Sequence, residues 1–278
     1  MVEGHGPAGA LRQVVGLACF AAMALAGPAL ADEKPAPQNE VATAEAAPPQ
    51  KPSGEAELKA GEALLMGTRD TNKAYNGAID HFKRALKTDL DDKRKAFVHA
   101  RMAQAIFRKG EIAKGEEKQK KFYKLGQAEA EIGLKLDENC VACHFWRVSN
   151  LGRWGEVRGM MKSLFLLPDV KAGYKKCLKL DPTFSGCLLA TAVIDTRVPG
   201  FAGGDSDRAR KNFKKLLKLY PNHTRGMIDL AVLLEDEGEE ERAVALLKRV
   251  VAHQKPHFPG EWKKFDLPRA QQLLKDWD

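Results

Sequence analysis

The chain has 278 residues, 44% hydrophobic and 29% charged, with a formal net charge of +8. That length suffices for one sizeable or two small cores. Its bases are interleaved with acids, as in EIAKGEEKQKKFYK, a pattern of solvated helix faces; nucleic acid is not an expected partner for a chain that reads as exported, and the excess positive charge suits acidic partners or lipid headgroups.

Residues 1–31 have the layout of a cleaved signal peptide. Arg12 precedes the apolar run VVGLACFAAMALAG, and Ala29-Leu30-Ala31 offers the small-x-small pattern of a peptidase site. The run is shorter than the roughly 20 apolar residues of a bilayer span. Cleavage after Ala31 and a periplasmic or secreted product are therefore expected. Cys19 is the one candidate for acylation, but Gly16-Leu17-Ala18 fits a lipobox poorly, so a lipoprotein is the less favoured reading. Residues 32–56 hold five prolines among Ala, Gln and Glu, a composition that cannot offset ordering entropy and is read as a disordered tether.

From residue 57 to 278 the apolar period is near 3.6 and no stretch reads as a strand. The predicted class is all-α. Its elements repeat: GLKLDENCVAC (Gly133–Cys143) aligns without gaps with CLKLDPTFSGC (Cys177–Cys187) and again with LLKLYPNHTRG (Leu216–Gly226). Each copy ends one helix, turns, and opens the next. In chain order, the second helices of the units carry Ala78, Phe82 and Ala85; Gly126, Ala130 and Gly133; Val170, Tyr174 and Cys177; Ala209, Phe213 and Leu216; and Ala243, Leu247 and Val250. Small residues at these places let antiparallel helices approach closely, and a larger one fills the gap. The pattern is that of the tetratricopeptide repeat (TPR), and about five such hairpins would stack into a superhelix. The copies are spaced more widely than the usual ~34 residues. Two segments account for the excess: LGRWGEVRGMMKSLFLLPDV, unusually apolar for a repeat connection, and RVPGFAGGDSDRA. In the latter, Asp205 or Ser206 is expected to cap a helix from about Asp207, and Gly203-Gly204 reads as a turn rather than a phosphate nest.

These inserts carry a resemblance. The Trp146 helix with its glycines, Leu167-Pro168, Leu180-Asp181-Pro182 and the run Pro199 to Asp205 are similar to the T-component family of tripartite ATP-independent periplasmic (TRAP) transporters, over roughly residues 130–250. The resemblance implies a periplasmic repeat protein that docks a solute-binding partner, holds a small apolar ligand inside its superhelix, and has no enzymatic activity. Members of that family are often lipoproteins, a point on which Cys19 departs from it. A similar fold occurs in microtubule-associated relatives, whose cytosolic role is at odds with a signal peptide.

Asn139–Trp146 reads NCVACHFW, which contains C-x-x-C-H, the attachment motif of c-type haem through Cys140, Cys143 and His144. Haem would also need a porphyrin pocket and usually a second axial ligand, and no Met or His is marked as one. Cys143 occupies the repeat position of Cys187, so a hairpin's opening turn is the favoured reading. An even set of four cysteines beyond the signal peptide, in an oxidising compartment, favours disulfides. Cys177 and Cys187 flank a turn that can bring them within bridging distance, and Cys140 and Cys143 would then pair locally, although spacing leaves three pairings open. Disulfide exchange is disfavoured because no strand precedes the motif. A metal site is not expected, since the second pair lacks finger spacing.

Other chemistry is thin. His81, His99, His144, His223, His253 and His257 are scattered, and no catalytic set stands out. One stripe offers a ligand pocket: Cys143, Trp146, Asn150 and Trp154 fall at helical spacing, with Met161 and Phe165 in the apolar segment that follows. Asn150 would orient a mostly apolar ligand; the plainer alternative is repeat core with its amide on a neighbouring carbonyl. The end of the chain, with Ala270, Leu273, Leu274 and Trp277 on one face, is expected to cap the superhelix. The function this supports is a non-enzymatic, cofactor-free accessory scaffold. Its partner would be a periplasmic solute-binding protein or another protein, with an apolar small molecule and peripheral membrane association as further partners. A generic exported scaffold is the alternative.

Overall fold

The computed structural model describes residues 53–67 and 71–277. The expectations for the signal peptide, Cys19 and residues 32–52 of the tether lie outside them. Ser53 opens the described chain as an N-cap, its hydroxyl accepting from the Ala56 amide at 3.2 Å, so α1 (Gly54–Met66) begins slightly ahead of the expected boundary at 57. Helices α2 (Asn72–Ala85), α3 (Asp92–Ile112), α4 (Glu116–Leu136), α5 (Val141–Val157) and α6 (Met160–Leu180) follow. Then come α7 (Ser185–Arg197), α8 (Ser206–Leu219), α9 (Thr224–Asp236) and α10 (Glu240–Val251). No strand occurs among the described residues. Thr71, Asp91 and Asp205 cap α2, α3 and α8 through their side chains, each satisfying an amide that the first helical turn leaves open.

Consecutive helices pack as hairpins, α1 with α2 through α9 with α10, and each hairpin lies on the next. The fold is the TPR-like stack of helical hairpins read from the repeats. Every one of the fifteen small or apolar positions assigned to second helices is buried, from Ala78 in α2 to Val250 in α10. One core runs from α3 to the end of the chain, and a smaller one joins α1, α2 and α3.

The two inserts resolve differently. The apolar segment around Met160 is no loop: α5 runs to Val157, Gly159 breaks the chain at φ +96°, and α6 then extends for 21 residues through Pro168. Long helices, 21 residues each in α3, α4 and α6, explain the wide repeat spacing. The second insert is a tight turn between α7 and α8. Asp205 is the cap there, so α8 starts at Ser206, and the Gly203 carbonyl accepts from Lys171 Nζ at 2.7 Å and Arg208 Nη2 at 3.0 Å. The Gly203 and Gly204 amides bond back to the Gly200 and Pro199 carbonyls at 2.9 and 3.1 Å, so they are used within the turn rather than held open as a phosphate nest.

After α10 the chain folds back. A short turn α11 (Pro259–Glu261), a π-helical stretch Trp262–Asp266 and α12 (Leu267–Asp276) cover the last hairpin. Ala270 is fully buried, and Leu273, Leu274 and Trp277 pack on the main core, so the segment is a cap. Its start reaches across to the first units. Glu261 pairs at 2.9 Å with Arg108 of α3, and both side chains are buried. Burial pushes the Glu261 carboxyl up and Arg108 pulls it back.

Candidate partner-binding groove

The first helices of successive hairpins stand side by side, so residues one or two turns into them share a surface. On α3, Phe97 and Arg101 are spaced i, i+4 and face the start of α5 and α7. There Cys140, Val141, the edge of Trp146 and Phe184 complete a cleft of about 430 Å³. Phe97 sits beneath two guanidiniums, Arg101 at 4.7 Å and Arg94 at 5.5 Å from its centroid. Each cation is already neutralised. Arg101 bonds Glu62 of α1 at 2.8 Å and Gln104 at 2.9 Å, while Arg94 forks onto Glu55. Burial draws the Arg101 pKa down, and Glu62 opposes this by favouring the charged form. The cleft is therefore apolar at its centre, Phe97 and Phe184, with the paired guanidiniums of Arg94 and Arg101 beside them, while Lys93, Asp137 and Asp181 also line it and form no ion pair among the described residues. Such a lining accepts apolar side chains and orients polar backbone around them.

The C-x-x-C pair forms one wall. Cys140 and Cys143 are joined by a disulfide, and a second bridge joins Cys177 and Cys187. Cys140 is the N-cap of α5, its sulfur 3.1 Å from the Cys143 amide. His144 Nε2 lies 2.9 Å from the Glu138 carbonyl oxygen. Burial depresses its pKa, and the hydrogen bond to that carbonyl partly restores it. Both sulfurs are thus bonded to each other, which leaves neither free for a haem thioether in this structure.

The five residues expected to line a ligand pocket do not meet in one cavity. Trp146 is 1% exposed and packs on Phe145 and Phe107 at centroid distances of 4.9 and 5.3 Å; only its edge reaches the cleft. Asn150 is fully buried, and its Nδ2 donates to the Trp146 carbonyl at 2.8 Å. Its Oδ1 lies over Gly126, where any Cβ would come within 2.2 Å, so the amide packs between α4 and α5 in space that only a glycine leaves. Trp154 lies farther along α5 on the outer surface, and Met161 and Phe165 of α6 are 77% and 75% exposed. A stripe of two to three helical turns is long enough to run from the groove through the core to the opposite tip. The cleft residues the stripe missed are Phe97, Arg101 and Glu62. Their signal is the i, i+4 pair on a helix whose other face, Ala96, Ala100 and Ala103, is small and buried.

Among the described residues no group of three His, Cys, Asp or Glu side chains is placed to hold a metal ion, and no helix is long and apolar enough to cross a membrane.

Comparison with known proteins adds three findings. Residues 59–190 match the family model of regulator of microtubule dynamics protein 1-3, and residues 201–259 match a tetratricopeptide-repeat model. Among solved structures, a thermophilic TPR protein of Thermus thermophilus superposes with a TM-score of 0.59 at 13% identity, over 79% of this chain and 100% of that one. That likeness is one of fold. No curated protein matches the chain.

Proposed function

We propose that this TPR-like chain is an exported, non-catalytic accessory scaffold that docks a solute-binding protein of a TRAP-type transporter in the groove between α3, α5 and α7. The observation that carries the reading is the cleft itself, with Phe97 and Phe184 at its centre and the two arginines over Phe97 already paired. The similarity of the α5–α8 region to T components supports the class of partner, and the leader pattern at 1–31, with cysteines paired in the structure, supports an oxidising compartment. A generic protein-binding scaffold is the coarser form of the same proposal. The volume of the cleft also falls within the range of small-molecule sites, so an apolar ligand seated between the two phenylalanines is a second reading.

A different partner is raised by the match at 59–190, to a family named for regulating microtubule dynamics. The leader-like pattern at 1–31 favours a partner outside the cytosol, and detecting the chain in the cytosol would reverse that choice. The direct test is calorimetric titration with a purified solute-binding protein of a TRAP-type transporter. Wild type should bind, and Phe97→Ser with Phe184→Ser should weaken binding by about ten-fold or more, with helicity unchanged. Absence of binding by wild type, or equal binding by the variant, overturns the proposal.

A further inference from the structure

A second surface lies at the tip where α4 starts, α5 ends and α6 starts, away from the groove. Trp154 is half-buried there and surrounded by cations. Lys124 Nζ lies 4.1 Å from its ring centroid, the Arg158 guanidinium 4.6 Å and Lys162 Nζ 5.9 Å. Lys162 is also 4.8 Å from the ring of Phe165. Beside this cluster Met161 and Phe165 project from successive turns of α6, 77% and 75% exposed. A shallow depression over Trp154 is lined by Lys120, Lys121, Lys124 and Arg158, with Glu117 as its only acid. That carboxylate is already paired with Lys120 at 2.6 Å. Lys124 bonds only the neutral Gln127, and Lys121, Arg158 and Lys162 make no ion pair among the described residues.

We infer that this tip docks on an anionic lipid bilayer, with Met161 and Phe165 among the acyl chains and Lys121, Lys124, Arg158 and Lys162 on headgroup phosphates. The shape favours a bilayer over a folded acidic protein. The apolar side chains protrude, whereas a rigid partner would have to offer a matching hole; a fluid layer opens one. An indole ringed by cations is an arrangement that sits at headgroup depth, and long basic side chains lay their stems on apolar surface while their charges reach the phosphates. Several unpaired cations on one face also match the negative potential of an anionic leaflet.

The test is vesicle flotation of the full chain, on phosphatidylcholine alone and on an equal mixture with phosphatidylglycerol. Residues 1–52 are common to every arm, so the reading is the difference between lipids and between variants. Wild type should float preferentially with the anionic vesicles and lose this preference at high salt. Met161→Ser with Phe165→Ser should lower anionic-vesicle binding by about ten-fold, as should Lys124→Gln with Arg158→Gln and Lys162→Gln. The groove variant Phe97→Ser with Phe184→Ser should float like wild type, which separates this inference from the proposed docking function. No preference for anionic vesicles in wild type overturns it, as does equal flotation by both tip variants. Loss in the cationic variant alone overturns the insertion and leaves simple adsorption. Tip-dependent binding to a soluble acidic protein without vesicle binding assigns the surface to a protein partner and overturns it as well.

Discussion

The turn from α4 to α5 and the turn from α6 to α7 follow one backbone path with different side-chain chemistry. Asp137 and Asp181 end their helices with amides bonded to the Gly133 and Cys177 carbonyls, each at 2.9 Å. Three residues on, the amides of Cys140 and Phe184 return to the carbonyls of those aspartates at 3.1 and 3.2 Å. The α8–α9 turn repeats the pattern, Tyr220 bonding Leu216 at 2.8 Å and His223 bonding Tyr220 at 3.0 Å. What changes is how the last turn of one helix grips the first turn of the next. In the first turn the Cys143 sulfur lies against Gly133, where a Cβ would approach within 2.6 Å, and is bonded to Cys140. In the second, Cys177 and Cys187 meet covalently. In the third the sizes are exchanged, with Leu216 over Gly226, where a Cβ would come within 2.7 Å of its Cδ2. The geometry belongs to the turn; the contact inside it can be sulfur on glycine, sulfur on sulfur, or leucine on glycine.

Removing the covalent contacts separates these solutions. The largest effect is expected at the second turn. Its bridge closes a sequence separation of 10, and Cys177→Ala with Cys187→Ala should cost about 3 kcal/mol in urea unfolding. Reduced wild type should behave similarly. A negligible loss would make the bridge redundant with the packing that suffices in the third turn. At the first turn the separation is only 3, so Cys140→Ser with Cys143→Ala should cost less, about 2 kcal/mol by the same loop argument. The serine keeps an oxygen where the Cys140 sulfur caps α5. If the first pair proved costlier than the second, its role would lie in seating Cys143 against Gly133 and Ala96 rather than in closing a loop.

The hairpin stack is legible in the sequence because close helix packing leaves small residues at fixed spacings, and those spacings recur. Ala78-Phe82-Ala85 and Ala243-Leu247-Val250 need no partner to be recognised. The groove is not legible, since Phe97, Phe184 and Glu62 come from three different hairpins, and nothing local in any of them marks the meeting. Asn150 misleads for a related reason. A polar residue on a stripe of tryptophans looks like a ligand contact until its neighbour Gly126, on another helix, shows that the amide fills an interhelical gap. The apolar segment after Gly155 reads as an insert because Gly159 and Pro168 punctuate it, yet α6 continues through the proline. The cysteine spacing leaves three pairings open; the structure places each pair across or within one turn.

The smallest effect is expected at the third turn, the only one of the three whose cap titrates. His223 is buried, and its Nδ1 accepts from the Gly226 amide at 3.1 Å, where Cys140 stands in the first turn and Phe184, with no side-chain cap, in the second. Burial, reinforced by His257, pushes its pKa down to about 3, with Asp229 pulling weakly the other way. The unfolded histidine titrates near 6.5. Between those values the unfolded chain binds a proton that the folded chain refuses, so stability rises with pH. The contribution is whole above about pH 6.5 and is lost as pH falls toward 3, by up to about 1.4 kcal/mol per pH unit. His223→Asn keeps a cap without the titration and should flatten the decline between pH 6.5 and 5.5 by about 1 kcal/mol. A residual slope is expected from His257, whose pKa burial also lowers. His223→Phe copies the second turn: it should lose the cap, lower stability at neutral pH by about 1 kcal/mol, and flatten the acid limb equally. If both variants fell off with acid as steeply as wild type, the buried imidazole would not be neutral in the folded chain, and the third turn would lose its distinction from the other two.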